Sequence, residues 1–251
     1  MYVIIYRGCG TMDFKKKVVL ITGASYGIGK ACAIYFANLG SDIIITYNKS
    51  QNLSKNVEKE IKEKYGIQVD SLKCDISCED DIKNVYDFVK CKYGKIDILI
   101  NNAALSLDDD FLDKSTEDFI RVLEVNVIGT FMMMKYFRSI TNYIFNISST
   151  DAIDTGSRYN LDYCCSKASI NCLTKYLGEF DKDTKYISIC PNWVDTEPIK
   201  EMDQEYLKSE LKRIKQDKLI NPKSIPIMIK KCIINNVESG SIIRIDGDIN
   251  E

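Results

Sequence analysis

Apolar positions along the chain switch repeatedly between short β-branched runs and longer stretches with a helical period. The short runs at 18–22, 43–46, 69–74, 96–100, 143–147, 186–190 and 242–245 predict seven strands. Runs with so little polar alternation suit strands covered on both faces. Between them the periodicity predicts helices over 27–39, 53–65, 80–92, 117–140, 161–180 and 222–235. Strands that alternate with helices specify a doubly wound α/β domain, a seven-stranded parallel sheet flanked by helices. The connections are short except for 195–221, a charged helical insertion read as a substrate lid. Residues 1–12 precede the first strand signal and are set apart as an N-terminal extension, expected to be disordered, which leaves 13–251 as a single domain.

Composition narrows the chemistry. The 251 residues include no histidine, which removes Ser-His-Asp and Cys-His hydrolases, His-liganded zinc and any His general base. No metal site is expected. Lys and Arg total 34 against 36 Asp and Glu, so there is no basic field for a phosphate backbone and nucleic acid is not an expected partner. The chain has no run of about 20 apolar residues, and the five-residue run from Tyr2 to Tyr6 is too short for a signal-peptide core. A domain this long needs no covalent staple, so the ten cysteines read as small core hydrophobes in a reduced, cytoplasmic protein.

Thr22-Gly23-Ala24-Ser25-Tyr26-Gly27-Ile28-Gly29 follows the first strand and opens a helix. Glycines there let the backbone approach a pyrophosphate, and the helix N-terminus favours the anion. The expected fold is therefore of the Rossmann type, with Gly23, Ser25, Tyr26, Gly27, Ile28 and Gly29 at a dinucleotide. The second strand ends Thr46-Tyr47-Asn48-Lys49-Ser50, without the acid that binds ribose hydroxyls in an NAD site. A carboxylate would repel a 2′-phosphate, whereas Lys49 and Ser50 suit one, so NADP is the expected cofactor.

Tyr-x-x-x-Lys occurs three times, at Tyr26/Lys30, Tyr86/Lys90 and Tyr163/Lys167. Only the third follows a strand that ends in hydroxyls, Asn146-Ile147-Ser148-Ser149-Thr150, at the sheet edge where such proteins bind ligands. With that pair the chain, from about Lys17 to Gly247, resembles the short-chain dehydrogenase/reductase family. Thr22-Gly23-x-x-x-Gly27-x-Gly29 is similar to its cofactor turn, and Cys74-Asp75-Ile76 to its adenine-contacting Asp segment. Asn101-Asn102-Ala103-Ala104 is similar to its fourth-strand end, although Ala104 replaces a Gly.

The resemblance implies catalytic roles for Asn126, Ser149, Tyr163 and Lys167. It implies cofactor contacts at Tyr47, Lys49, Asp75, Asn102, Ala103, Tyr163, Lys167 and Thr196 as well as the glycine turn. Asn101 and Asn102 read as structural ties more than as catalytic groups. The interval from Ser149 to Tyr163 is one residue longer than is common in the family, which leaves Ser148 and Thr150 as alternatives to Ser149. Pro191-Asn192 stands where the family has Pro-Gly, and Asn192 is expected to supply the left-handed turn. A free phenol titrates near 10, so Lys167 is expected to lower the Tyr163 pKa. Tyr163 would then give a proton to a carbonyl held by Ser149 while hydride comes from the nicotinamide, and Asn126 would help anchor a water linked to Lys167.

The implied activity is reduction of a ketone, with 3-oxoacyl thioesters as the expected class. A sugar or alcohol dehydrogenase, or a cofactor sensor without catalysis, are the alternatives. The absence of an Arg beside Leu177-Gly178-Glu179 speaks against a carrier-protein partner. The expected assembly is a homotetramer through the helices at 117–140 and 161–180.

Overall fold

In the computed structural model, which describes residues 12–251, seven strands hydrogen-bond in parallel. They are β1 (Val18–Ile21), β2 (Asp42–Tyr47), β3 (Val69–Lys73), β4 (Ile96–Asn101), β5 (Thr141–Ile147), β6 (Lys185–Pro191) and β7 (Ser241–Ile245). Their order across the sheet is β3-β2-β1-β4-β5-β6-β7. The winding reverses between β1 and β4, and at such a reversal the connections leave on opposite faces and open a crevice at the carboxyl ends.

Every residue of β1 and β4 is buried, as the unalternated runs predict. Alternate side chains feed two apolar layers. Val19, Ile21, Ile43, Ile98 and Phe145 pack beneath α1 (Gly27–Asn38) and α9 (Ser224–Ile234). Leu20, Ile44, Leu99 and Ile144 pack against α3 (Glu79–Lys92) and α5 (Thr130–Phe137) on the other face. The helix α2 (Gln51–Tyr65) ends at Gly66, whose φ of +64° closes it in the left-handed conformation.

Three expectations need correction. The helix predicted over 117–140 is four pieces: α4 (Thr116–Leu123), a π-helical stretch (Glu124–Gly129), α5, and a 3-10 turn (Arg138–Ile140). Gly129 sits at the end of the wide turn, where a Cβ would lie 2.7 Å from the Ile76 carbonyl. Residues 102–115 form a second long connection, without helix or strand, so 195–221 is not alone. The Asp-rich run within 102–115 carries no apolar period to reveal its course. Asn192 is not among the residues with positive φ, and it serves this corner through its side chain. Its Oδ1 accepts from the Trp193 amide at 3.2 Å and from Thr150 Oγ1 at 3.2 Å.

The segment after β6 contains α7 (Glu197–Glu201) and α8 (Gln204–Arg213) and is closed by a bridge between Val194 and Ile220. The N-terminal extension, Met12 apart, lies outside the described residues. Met12 packs on the apolar layer under α1.

Candidate active site

The glycine turn is shaped by neighbours that leave no room for side chains. A Cβ on Gly23 would lie 2.9 Å from Ala103 Cα, and one on Gly29 would lie 2.6 Å from the Gly23 carbonyl. Gly23 and Gly27 also adopt φ of +65° and +58°, values that favour glycine. Asn102 locks the turn from the neighbouring strand: its Nδ2 donates to the carbonyls of Thr22 and Gly23, both at 2.9 Å. Thr22 Oγ1 accepts in return from the amides of Asn102 and Ala103, both at 3.0 Å. Asn102 and Ala103 thus hold the turn's shape. Tyr26 gives α1 no side-chain cap, so the first turn presents bare amides. One of them is taken from across the crevice, where Glu197 Oε2 accepts from the Gly27 amide at 2.9 Å.

Such a donor set fits a pyrophosphate. At the adenosine end of the crevice, Tyr47 is buried at the end of β2 while Asn48 and Lys49 are exposed. Asp75 accepts from the Ser77 amide at 3.0 Å and its hydroxyl at 2.6 Å. These bonds, with help from Asn48 and Arg121, hold its carboxyl below the usual range against the opposing effect of burial. Ser25 Oγ donates to the Ser50 carbonyl at 3.5 Å, tying the turn to the loop after β2.

Beyond the turn the crevice deepens into a cleft of about 450 Å³. Ile28 and Asn102 stand at one end, Ser149, Tyr163 and Lys167 line its wall, and Trp193, Thr196 and Met202 come from the lid side. Tyr163 and Lys167 share one face of α6 (Leu161–Phe180), where i and i+4 are neighbours. The Lys167 ammonium is 5.3 Å from the Tyr163 ring centroid and donates to the Ile147 carbonyl at 2.7 Å.

Burial is the main influence on both groups. It lowers Lys167 to about 8. It pushes the Tyr163 phenol up, with Asp151 and then Asp108 adding to the effect. The expected lowering of Tyr163 by Lys167 does not occur here, because the ammonium faces the ring and the surrounding charges are acidic.

The three candidate hydroxyls are distinguished by their partners. Ser148 Oγ donates to the Lys167 carbonyl at 3.1 Å, and Thr150 Oγ1 donates to Asn192. Ser149 Oγ accepts from the Asp151 amide at 3.1 Å and its hydroxyl faces the Asp151 carboxyl, so of the three it is the one whose proton is held by neither a backbone carbonyl nor the Asn192 amide.

Asn126 is fully buried in the π-helical stretch. Its Oδ1 accepts from the Leu105 amide at 2.7 Å, and its Nδ2 donates to the Leu105 carbonyl at 2.9 Å and Ser166 Oγ at 3.0 Å. The side chain therefore ties the 102–115 loop to α6 at the residue next to Lys167. Thr196 stands at the entry to α7 without a side-chain capping bond, its Cγ2 3.2 Å from where a Gly27 Cβ would stand.

A model of the short chain dehydrogenase family matches residues 17–207. The chain belongs to that family. The chain is 30% identical over 250 residues to 3-oxoacyl-(acyl-carrier-protein) reductase FabG of Thermotoga maritima, covering 95% of this chain and 99% of the relative. It is 33% identical over 197 residues to an NADP-dependent mannitol dehydrogenase of Alternaria alternata, covering 73% of each. A short chain dehydrogenase of Burkholderia cenocepacia in complex with NADP shares the fold at a TM-score of 0.85 and 23% identity, covering 94% of this chain and 99% of that one. The protein is thus an oxidoreductase that interconverts carbonyl and alcohol groups with a nicotinamide dinucleotide.

Residue patterns alone did not point to Asp151, Glu197 or the pair formed by Lys114 and Asp162. Lys114 Nζ lies 3.1 Å from Asp162 Oδ2, with both side chains buried, and also donates to the Leu107 carbonyl. Nothing short of the fold brings these partners together, since they lie 48 positions apart or, for Glu197 and Gly27, 170.

Proposed function

We propose that the protein is an NADP-dependent reductase that turns a ketone into a secondary alcohol, with 3-oxoacyl thioesters as its substrate class. The observation that carries this reading is one continuous cleft holding Ser149, Tyr163 and Lys167 and running to the glycine turn. In that arrangement the nicotinamide supplies hydride. Ser149 would hold the carbonyl oxygen, and Tyr163, kept protonated by its surroundings, would give that oxygen a proton. Lys167 would bind the nicotinamide ribose and replenish the Tyr163 proton, while Asn126 keeps the loop and helix in register. Lys49 and Ser50, with no acid at the end of β2, favour a 2′-phosphate.

Likeness to FabG over nearly the whole chain supports the thioester class. A polyol substrate is the second reading, favoured by the mannitol dehydrogenase relative. Nine free cysteines among the described residues support a reducing, cytoplasmic setting. The test is oxidation of NADPH, beside NADH, with a panel of ketones, sugars and 3-oxoacyl thioesters. A rate with a thioester and NADPH is the expected result. Turnover of sugars alone, or equal use of NADH, would overturn the corresponding part of the reading.

A further inference from the structure

Two acids border the reacting end of the cleft, and neither is needed for the proton and hydride steps. Asp151 is half-buried two residues beyond Ser149, where its Oδ1 accepts from Thr155 Oγ1 at 2.8 Å and its Oδ2 from Asn160 Nδ2 at 3.1 Å. These donors and the Ser149 hydroxyl fix the carboxyl in place; burial raises its pKa, while the hydrogen bonds and the Arg213 guanidinium favour its charged form. Asp108 enters from the 102–115 loop, with Ser106 Oγ donating to it at 2.7 Å. Both raise the Tyr163 pKa, so their fields reach the reacting oxygen's position.

The cations around the cleft are already engaged. Arg213 of α8 donates to both Glu210 oxygens, at 2.7 to 3.1 Å, and to the Thr155 carbonyl at 2.6 Å. Lys114 is paired with Asp162, Arg158 with Asp110, and Lys167 is held by the Ile147 carbonyl. Among the described residues lining this cleft, Lys167 is the one cation beside two carboxylates.

We propose that Asp151, assisted by Asp108, is a specificity-determining residue that bars carboxylate substrates and restricts the cleft to ketones whose neighbouring acyl group is neutral. A 3-oxo acid would bring its carboxylate within a few bonds of the reacting carbonyl, against two like charges that outnumber Lys167, the one cation lining the cleft. The ester or thioester of the same acid brings no charge. The inference rests on the reductase reading and sharpens it, separating thioester reduction from oxidation of free 3-hydroxy acids.

The test compares ethyl 3-oxobutanoate with 3-oxobutanoate, a pair differing chiefly in charge, by NADPH oxidation with the full-length protein. The wild type is expected to favour the ester by at least about tenfold in kcat/KM. Asp151→Asn should narrow that ratio by about tenfold, the scale of removing one partly screened charge. Asp108→Asn, at an exposed position, should narrow it by about threefold and guards against misfolding of the first variant. Equal rates for the two ketones in the wild type, or a ratio that neither variant moves, would overturn the inference. Calorimetric titration of both ketones into the protein with NADP+ needs no turnover. Binding of ester over acid without reduction would sink the reductase reading and leave the charge filter standing, whereas no preference in binding would sink the filter.

Discussion

Tyr163 and Lys167 sit in one buried cleft, and burial moves them in opposite directions because only one is neutral when protonated. The phenol keeps its proton more firmly, whereas the ammonium sheds its own at about 8. If Lys167 must be charged to support proton transfer, kcat/KM should fall as pH rises through about 8. A profile flat to pH 9.5 would show that the ammonium is dispensable. The same shift has a stability sign. Between about 8 and the unfolded value of 10.5 the folded protein binds fewer protons than the unfolded chain, so stability rises with pH across that window. Below it the buried charge is a standing cost. Lys167→Met should therefore abolish turnover yet raise stability at pH 7 by about 1–3 kcal/mol, with a smaller gain at pH 10. Denaturant melts at both pH values check this. Tyr163→Phe should lower kcat about 10²–10⁴-fold, the range for loss of a general acid, while NADPH still binds by fluorescence titration.

At the scale of elements, the 102–115 connection is held by partners it meets only in the folded state. Asn126 grips Leu105 from the π-helical stretch, and Lys114 reaches the start of α6. Asp162 Oδ2 has no well-directed hydrogen bond, so the ammonium 3.1 Å away is its main compensation. Lys114→Met would leave that carboxylate buried with only the Tyr163 amide on its other oxygen, and should destabilise the protein by about 3–5 kcal/mol. Adding Asp162→Asn should recover part of the loss, and urea unfolding of the two variants measures both. The strands were legible beforehand because β-branched runs such as Ile43–Ile44–Ile45 have no polar break. The π-helical turn was not, because Glu124 to Gly129 keeps a helical spacing and the extra residue shows only in hydrogen bonding. The Tyr163–Lys167 pair was legible through its spacing and the hydroxyls before it. Asp151 was hidden, since an acid in a loop reads as solvated until the fold turns it onto the cleft.

For the molecule as a whole, part of the exposed apolar surface lies on two helical runs, while Phe111 and Leu112 expose more of it on the 102–115 loop. Ile120, Ile128 and Phe131 project from the α4–α5 run, and Tyr176 and Phe180 from α6. Assembly through this surface is the expected use, and sedimentation at micromolar concentration should give a species larger than 28.7 kDa. A monomer would remove that expectation.

The bridge between Val194 and Ile220 bears on how the protein can change. The Asp195 amide donates to the Ile220 carbonyl and the Ile220 amide to the Trp193 carbonyl, each at 2.9 Å. The chain therefore leaves the sheet and returns to it at one spot. What lies between is joined to the rest of the chain through side chains such as Glu197, at Gly27, and Arg213, at Thr155, and not through the sheet, so its length can change without disturbing a strand register. Replacing residues 196–219 with a short glycine-serine turn should leave cooperative unfolding intact and weaken substrate binding by removing Thr196, Ile199 and Met202 from the cleft, while the preference for ester over acid persists because Asp151 and Asp108 lie outside the replaced segment. Loss of the cooperative transition would mean that this segment also serves as part of the scaffold.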